Sequence, residues 1–176
     1  SNVLVLEELG RVAPTVCLIV SIHASLFCYS ILKYGTEAQK ARYLPPAAKG
    51  DLLGAFSITE PEAGSDALAL KTRAHRQGDY YLLNGTKAWV SSGGEAGALI
   101  IFAATAKEPG AKRLSAFIVE KNFPGFRVTK MEKKMGLHSS LTAEISLENC
   151  EVPAANLLGG EGKGASIGFH CLDYSR

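Results

Sequence analysis

Cysteine is scarce and does not cluster. Cys17, Cys28, Cys150 and Cys171 are the only four in 176 residues. No pair has C-x-x-C spacing, and thiols this dispersed form neither a zinc site nor a dense disulfide framework. Reduced, mostly buried thiols are the expectation. An excess of either charge is also missing. Nineteen Lys and Arg face 17 Asp and Glu, a net charge of +2 with His neutral, so bulk charge gives no case for a nucleic-acid partner. Low-complexity tracts and internal repeats are absent, and the 18 Gly and seven Pro are scattered, which excludes a fibrous chain. With 47% hydrophobic and 20% charged residues the composition is globular rather than disordered. No signal or transit peptide is visible, and the opening Ser1-Asn2 lacks an initiator Met. It reads as a cloning scar or an internal start, with any targeting information lost.

Charge is missing altogether between Arg11 and Lys33. A stretch of that length can cross a bilayer. Pro14, Ser21, His23, Ser25 and Ser30 inside it, with no flanking basic cluster or aromatic belt, favour a helix buried between protein elements over a transmembrane segment. Before it, Val3, Leu6, Leu9 and Ala13 have helical spacing, interrupted at Pro14. Gly35 ends the apolar helix. Thr36-Glu37-Ala38-Gln39 is a capping box, opening a short helix to about Leu44 that Pro45-Pro46 closes. From Leu53 the period changes to short runs of β-formers. These are Leu53–Ile58, Leu70–His75, Tyr80–Leu83, Ala88–Ser91, Leu99–Thr105, Leu114–Val119, Phe126–Thr129 and Ala143–Leu147. Gly78-Asp79 and Asn84-Gly85 between them read as hairpin turns. Strands without intervening helices imply an antiparallel sandwich or barrel. Leu157–Gly164 is a glycine-rich connection, and Ala165–Arg176 starts a helix that the chain end cuts off. The fold class is therefore α+β, with N-terminal helices, an antiparallel β-barrel or sandwich middle domain and the start of a C-terminal helix. Divisions fall at 1–50, 51–157 and 158–176.

Chemistry concentrates in two segments. In Phe56-Ser57-Ile58-Thr59-Glu60-Pro61-Glu62-Ala63-Gly64-Ser65-Asp66 a strand runs into a loop of hydroxyls and carboxylates. Pro61 stiffens the turn, Gly64 permits close backbone approach, and N–H groups around it can hold phosphate oxygens. The competing reading is a tight loop whose Ser65 and Asp66 bond their own backbone. In Asn84-Gly85-Thr86-Lys87-Ala88-Trp89-Val90-Ser91-Ser92-Gly93-Gly94 stands the only Trp. It reads first as core, with a planar aromatic ligand as the alternative. Ser91, two positions on, shares its strand face. His23, on the apolar helix, reads as a buried, satisfied histidine. His138 and the Lys130–Lys134 cluster read as solvated.

Together, Thr59-Glu60-Pro61-x-Ala63-Gly64-Ser65-Asp66 and Asn84-Gly85-x-Lys87-x-Trp89-x-Ser91 resemble the paired flavin motifs of the acyl-CoA dehydrogenase family. Val5-Leu6-Glu7-Glu8-Leu9-Gly10-Arg11, Tyr34-Gly35-Thr36-Glu37-x-Gln39-Lys40, Leu44-Pro45, Lys134-Met135-Gly136-Leu137-x-Ser139-Ser140, Val152-Pro153, Asn156-Leu157-Leu158-Gly159 and Leu172-Asp173-x-x-Arg176 are similar to further landmarks of the family in the same order. The helix around Ser21–Leu26 most resembles the short-chain and short-branched members.

The resemblance implies FAD as cofactor and no metal. Phe56, Ile58 and the residues to Ser65 would wrap the flavin and its pyrophosphate. Thr59 would meet the pyrimidine edge, and Gly64 and Ser65 the pyrophosphate, with Ser65 also near CoA. Trp89 would cover one flavin face, and Ser91, where the family usually has Thr, would lie near its N5–O4 edge. Asp173 and Arg176 would touch the CoA moiety or support the cofactor site.

The implied reaction is α,β-dehydrogenation of an acyl-CoA thioester to the trans-2-enoyl-CoA. A glutamate base would take the α-proton. No residue of this chain fills that role, because the family's base lies beyond Arg176 or, in a minority branch, at the position of Ser175. Glu60 and Glu62 read as loop carboxylates. Alternatives on the same fold are an acyl-CoA oxidase, a flavin-dependent monooxygenase or a non-catalytic acyl-CoA-binding paralogue. An electron-transfer flavoprotein as acceptor, a homo-oligomer (tetramer or dimer), and bacterial cytoplasm or mitochondrial matrix complete the expectation.

Overall fold

A computed structural model describes residues 2–107 and 110–175; Arg176 lies outside the described residues. The N-terminal part is helical: α1 (Asn2–Val12), α2 (Pro14–Tyr34) and α3 (Glu37–Lys49). Pro14 starts α2 rather than breaking it, because the first helical position has no N–H to satisfy. Between Ile22 and Cys28 α2 widens to π-winding. This places Cys28 Sγ 3.6 Å from His23 Nε2, five residues back. By length and composition α2 could cross a membrane, at mean hydropathy 2.0. It buries one stripe, Ser25, Phe27, Ser30 and Ile31, against protein. Its first half buries nothing, so the helix is docked on one side rather than enclosed as its composition suggested.

The capping box at the start of α3 is present, with Thr36 and Gln39 bonding each other's backbone N–H. Pro45-Pro46 does not close that helix. It continues to Lys49 and ends at Gly50, whose φ is +82. The prolines remove two N–H donors. Burial of Tyr43 and Ala47 on either side holds the winding through them.

Eight strands follow: β1 (Gly54–Ser57), β2 (Arg73–Gln77), β3 (Tyr80–Val90), β4 (Ala98–Ala104), β5 (Leu114–Glu120), β6 (Phe126–Met131), β7 (Ala143–Pro153) and β8 (Leu157–Leu158). Their order is β6-β7-β3-β2-β4-β5-β8, with β1 on β4. The sheet is mostly antiparallel, as expected, but β1 and β2 run parallel to β4. Gly78-Asp79 forms the β2–β3 hairpin turn. Asn84-Gly85 does not turn at all. It lies inside β3, where the pairing with β7 shifts register, and a Cβ on Gly85 (φ +153) would collide with Thr72. The glycine is there for close approach rather than reversal.

β4 reads Ala-Leu-Ile-Ile-Phe-Ala-Ala and is buried throughout. Its two faces serve two cores. Ala98, Ile100 and Phe102 meet Phe27 and Ile31 of α2 and Ile167 of α4 (Gly164–Ser175). Leu99, Ile101 and Ala103 meet Leu83 and Tyr81 of β3 and Ile145 and Val152 of β7. The helices thus cover one face while the folded-over sheet fills the other.

His23 ties the helices to the sheet. Its Nδ1 accepts the Gly54 N–H at 3.0 Å and its Nε2 lies 3.2 Å from Ala47 O, which sets the proton on Nε2. The histidine is satisfied, as its setting in the sequence suggests. His23→Leu strands both backbone partners. It is expected to lower stability by about 1–3 kcal/mol in urea unfolding, with native circular dichroism. An unmoved midpoint would show that the bonds contribute nothing net.

Candidate functional site

The chain leaves β1 at Ser57 and enters a loop built around Glu60. Glu60 and Ala63 bond each other's backbone across Pro61-Glu62, at 3.0 and 3.2 Å. Gly64 and Ser65 then stand exposed at the tip, and a Cβ on Gly64 would meet nothing within 4 Å. The loop is joined to the end of β3. The Ala88 N–H donates to Thr59 O at 3.0 Å. Lys87 Nζ donates to Glu60 Oε1 at 2.7 Å and to Ile58 O at 3.3 Å. The Lys87 side chain is wholly buried and that of Glu60 is 5% exposed. Glu60 also accepts backbone N–H groups from Lys71 and Thr72.

Electrostatics keep this pair ionised. Burial works to raise the Glu60 carboxyl, but the Lys87 ammonium and the hydrogen bonds outweigh it and the net shift is downward. Burial pulls Lys87 down to about 8 against the attraction of Glu60. Glu60 is therefore fully engaged and offers no free base. Glu62 pairs with Lys71 at the surface. Cysteines are no better as reactive groups. Burial pushes Cys28 up to about 11 and Cys150 to about 12, and raises Cys171 as well, so these three are not nucleophiles near neutrality. All four thiols are free.

Next to this anchored node the backbone is strained. The β3–β7 register shifts between Lys87 and Val90, Lys87 and Ala88 are buried in succession, and Trp89 takes φ +56. A non-glycine residue holds that conformation only where its surroundings impose it. The result is an indole 61% exposed, between the buried Ala88 and Val90. Trp89 is not core, contrary to the plainest reading of a lone Trp in a strand. The bulge turns its side chain outward.

Comparison with known proteins bears on what this arrangement is for. The family profile described as "Acyl-CoA dehydrogenase, middle domain" matches residues 55–150, and "Acyl-CoA dehydrogenase, N-terminal domain" matches residues 1–51. The chain belongs to the acyl-CoA dehydrogenase family. It is 48% identical over its full length to an acyl-CoA dehydrogenase of Bacillus subtilis, covering 46% of that protein. To an acryloyl-CoA reductase (NADH) of Anaerotignum propionicum it is 51% identical, over 99% of this chain and 45% of the other. The solved butyryl-CoA dehydrogenase of Megasphaera elsdenii superposes with a TM-score of 0.94 at 43% identity, over 97% of this chain and 45% of that one. The chain thus spans about half the length of the curated relatives it matches.

Within this acyl-CoA dehydrogenase fold the motif residues separate by environment. Thr59 is half-buried, while Gly64, Ser65 and Trp89 face outward. Phe56 is different. Its ring lies in the helix-side core, 5.0 Å from that of Phe102. Ile58 is half-buried against the same core, with its carbonyl turned to Lys87. Ser91 begins the turn beyond β3, so strand alternation does not put it on the Trp89 face. Asp173 is exposed on α4. Ser175 Oγ donates to Leu172 O. The residue that sequence reasoning passed over is Lys87. Its signal was a lone cation two places before the Trp, inside the second motif.

Proposed function

We propose that this chain supplies the flavin-binding part of an FAD-dependent acyl-CoA dehydrogenase acting on short acyl thioesters. The observation that carries the reading is the outward indole of Trp89, held at a strained φ of +56 and bonded through Ala88 to the hydroxyl-bearing loop at Thr59. A flat aromatic shelf beside polar hydrogen-bonding groups suits a planar heterocycle with a charged tail. The open space at Gly64 leaves the loop backbone free to meet that tail, so the residues present fit FAD.

Each residue then has a role. The exposed Trp89 indole would cover one face of the ring system. Thr59 Oγ1 hydrogen-bonds the pyrimidine edge. Ser91 Oγ, in the turn beyond β3, would be the hydroxyl for the ring's N5–O4 edge where the family usually has Thr. Backbone N–H groups at Gly64 and Ser65, with the Ser65 hydroxyl, hold the pyrophosphate, and Ser65 also reaches toward CoA. Phe56 and Ile58 support the loop from beneath, and Asp173, exposed on α4, is assigned to the CoA moiety. FAD, when bound, accepts the hydride that leaves the acyl β-carbon. Burying the ring against Trp89 excludes water from that side of the reaction. Glu60 and Glu62 being occupied, the α-proton goes to a carboxylate in the part of the enzyme this chain does not span. An electron-transfer flavoprotein takes the electrons, and the whole protein is a homo-oligomer.

The test uses the full-length protein. It is expected to purify with a flavin absorption band that butyryl-CoA bleaches under anaerobic conditions. A protein without flavin, or a band untouched by any saturated acyl-CoA, would overturn the reading. The similarity to an acryloyl-CoA reductase favours a second reading on the same site, reduction of a short 2-enoyl-CoA. In that case dithionite-reduced protein regains its band with acryloyl-CoA faster than the oxidised protein loses it with propionyl-CoA.

A further inference from the structure

We propose that the buried Glu60–Lys87 pair is the positioning device of the flavin site, fixing Thr59 and Trp89 relative to each other. The inference rests on the flavin reading above and assigns a role to two residues that would touch no ligand.

Three observations lead to it. The pair sits where the two motif segments meet and supplies the side-chain link between them. Lys87 Nζ reaches both Glu60 Oε1 and Ile58 O, so a single ammonium spans the residues on either side of Thr59. Second, the carboxylate is a node rather than a simple partner. Besides Lys87 it accepts the N–H groups of Lys71 and Thr72, which locks the loop to the segment that leads into β2. Third, Lys87 lies two residues before the strained backbone of Trp89. Holding an indole outward in the left-handed region needs anchors on both sides. The buried ammonium is one, and Val90, 1% exposed, is the other.

A pair this dry is a poor device for stability alone, because the desolvation of both ions offsets most of their attraction. Exposed pairs such as Arg127–Glu148 and Arg11–Glu8 carry little of that cost and contribute little geometry. What the buried pair provides is a single geometry. The ammonium has one place where both its acceptors are in reach, so Thr59 and Trp89 cannot slide along each other. Without the tie, the Ala88–Thr59 backbone bond still joins the two segments, but Trp89 is free to relax out of the left-handed region.

The experiment compares full-length wild type with Lys87→Met, Glu60→Gln and the double variant Glu60→Gln/Lys87→Met. FAD dissociation constants come from titrating the apoproteins. Quenching of flavin fluorescence reports ring contact with the indole, and thermal unfolding of each apoprotein reports the fold. Either single change leaves one buried charge without its counter-charge and is expected to lower the melting temperature. The double variant removes both charges together, so it is expected to melt within a few degrees of wild type. It should nonetheless bind FAD about tenfold or more weakly, with weaker quenching in the bound state. A double variant that binds and quenches like wild type overturns the proposal. So does one that fails to fold, because the pair is then structural. Wild-type protein that takes up no FAD would instead refute the flavin reading itself.

Discussion

Trp89→Ala in the full-length protein is expected to lose most of its flavin on gel filtration while its apoprotein melts as wild type does. The asymmetry follows from exposure. An indole 61% open to solvent contributes little to the core, so its removal costs the fold little. The same change relieves φ +56 at a bulky residue only slightly, since alanine dislikes that region too. Flavin binding, by contrast, loses an aromatic stacking partner and its buried area. Such contacts contribute about 0.5–1.5 kcal/mol beyond area burial, and with the area lost as well the dissociation constant should rise by about one to two orders of magnitude. Flavin-to-protein absorbance ratios and an apoprotein titration measure it. Unchanged flavin content would remove Trp89 from the site and with it the observation on which the functional reading stands.

The largest effect on stability belongs to Phe27. Its ring is fully buried and rests on the backbone of β1, where a Cβ added to Gly54 would run into it. Phe27→Ala should cost about 3–5 kcal/mol in denaturant unfolding, detaching α2 from the sheet. Gly54→Ala should cost about 1–3 kcal/mol from overpacking. The two act on one contact, so their effects will not add. In the double variant the new methyl fills space that the ring vacates, and the total loss should fall below the sum of the single losses. Strict additivity would show that the helix and β1 do not share this contact in solution.

These two residues also mark how far the sequence could be read. The elements that rest on local chemistry were legible. Thr36 and Gln39 form their reciprocal cap, Gly78-Asp79 makes its turn, and the short runs of β-formers fall in strands because their branched and aromatic side chains suit a pleated, packed surface. What failed were places where distant packing overrode a local signal. Pro45-Pro46 stays helical between the buried Tyr43 and Ala47. Asn84-Gly85 stays in the strand because Thr72 lies against the glycine. The parallel pairing of β1 and β2 with β4 leaves no mark on either strand's own residues. At the site, the motif loops could be named from order and spacing. The buried Lys87 could not, because the bulge at Trp89 breaks the alternation by which an inward lysine would be noticed.

The wide turn of α2 between Ile22 and Cys28 constrains how this chain tolerates length changes. Deleting one residue there would let the helix rewind to its regular pitch. Everything after the deletion would keep nearly its rotation about the axis, because the rewinding absorbs the missing residue, whereas a deletion in the regular turns would swing Ile31 off the sheet by about 100°. The segment therefore holds one residue more than regular winding needs between the two docking points, and its residue count is less constrained than that of the turns on either side.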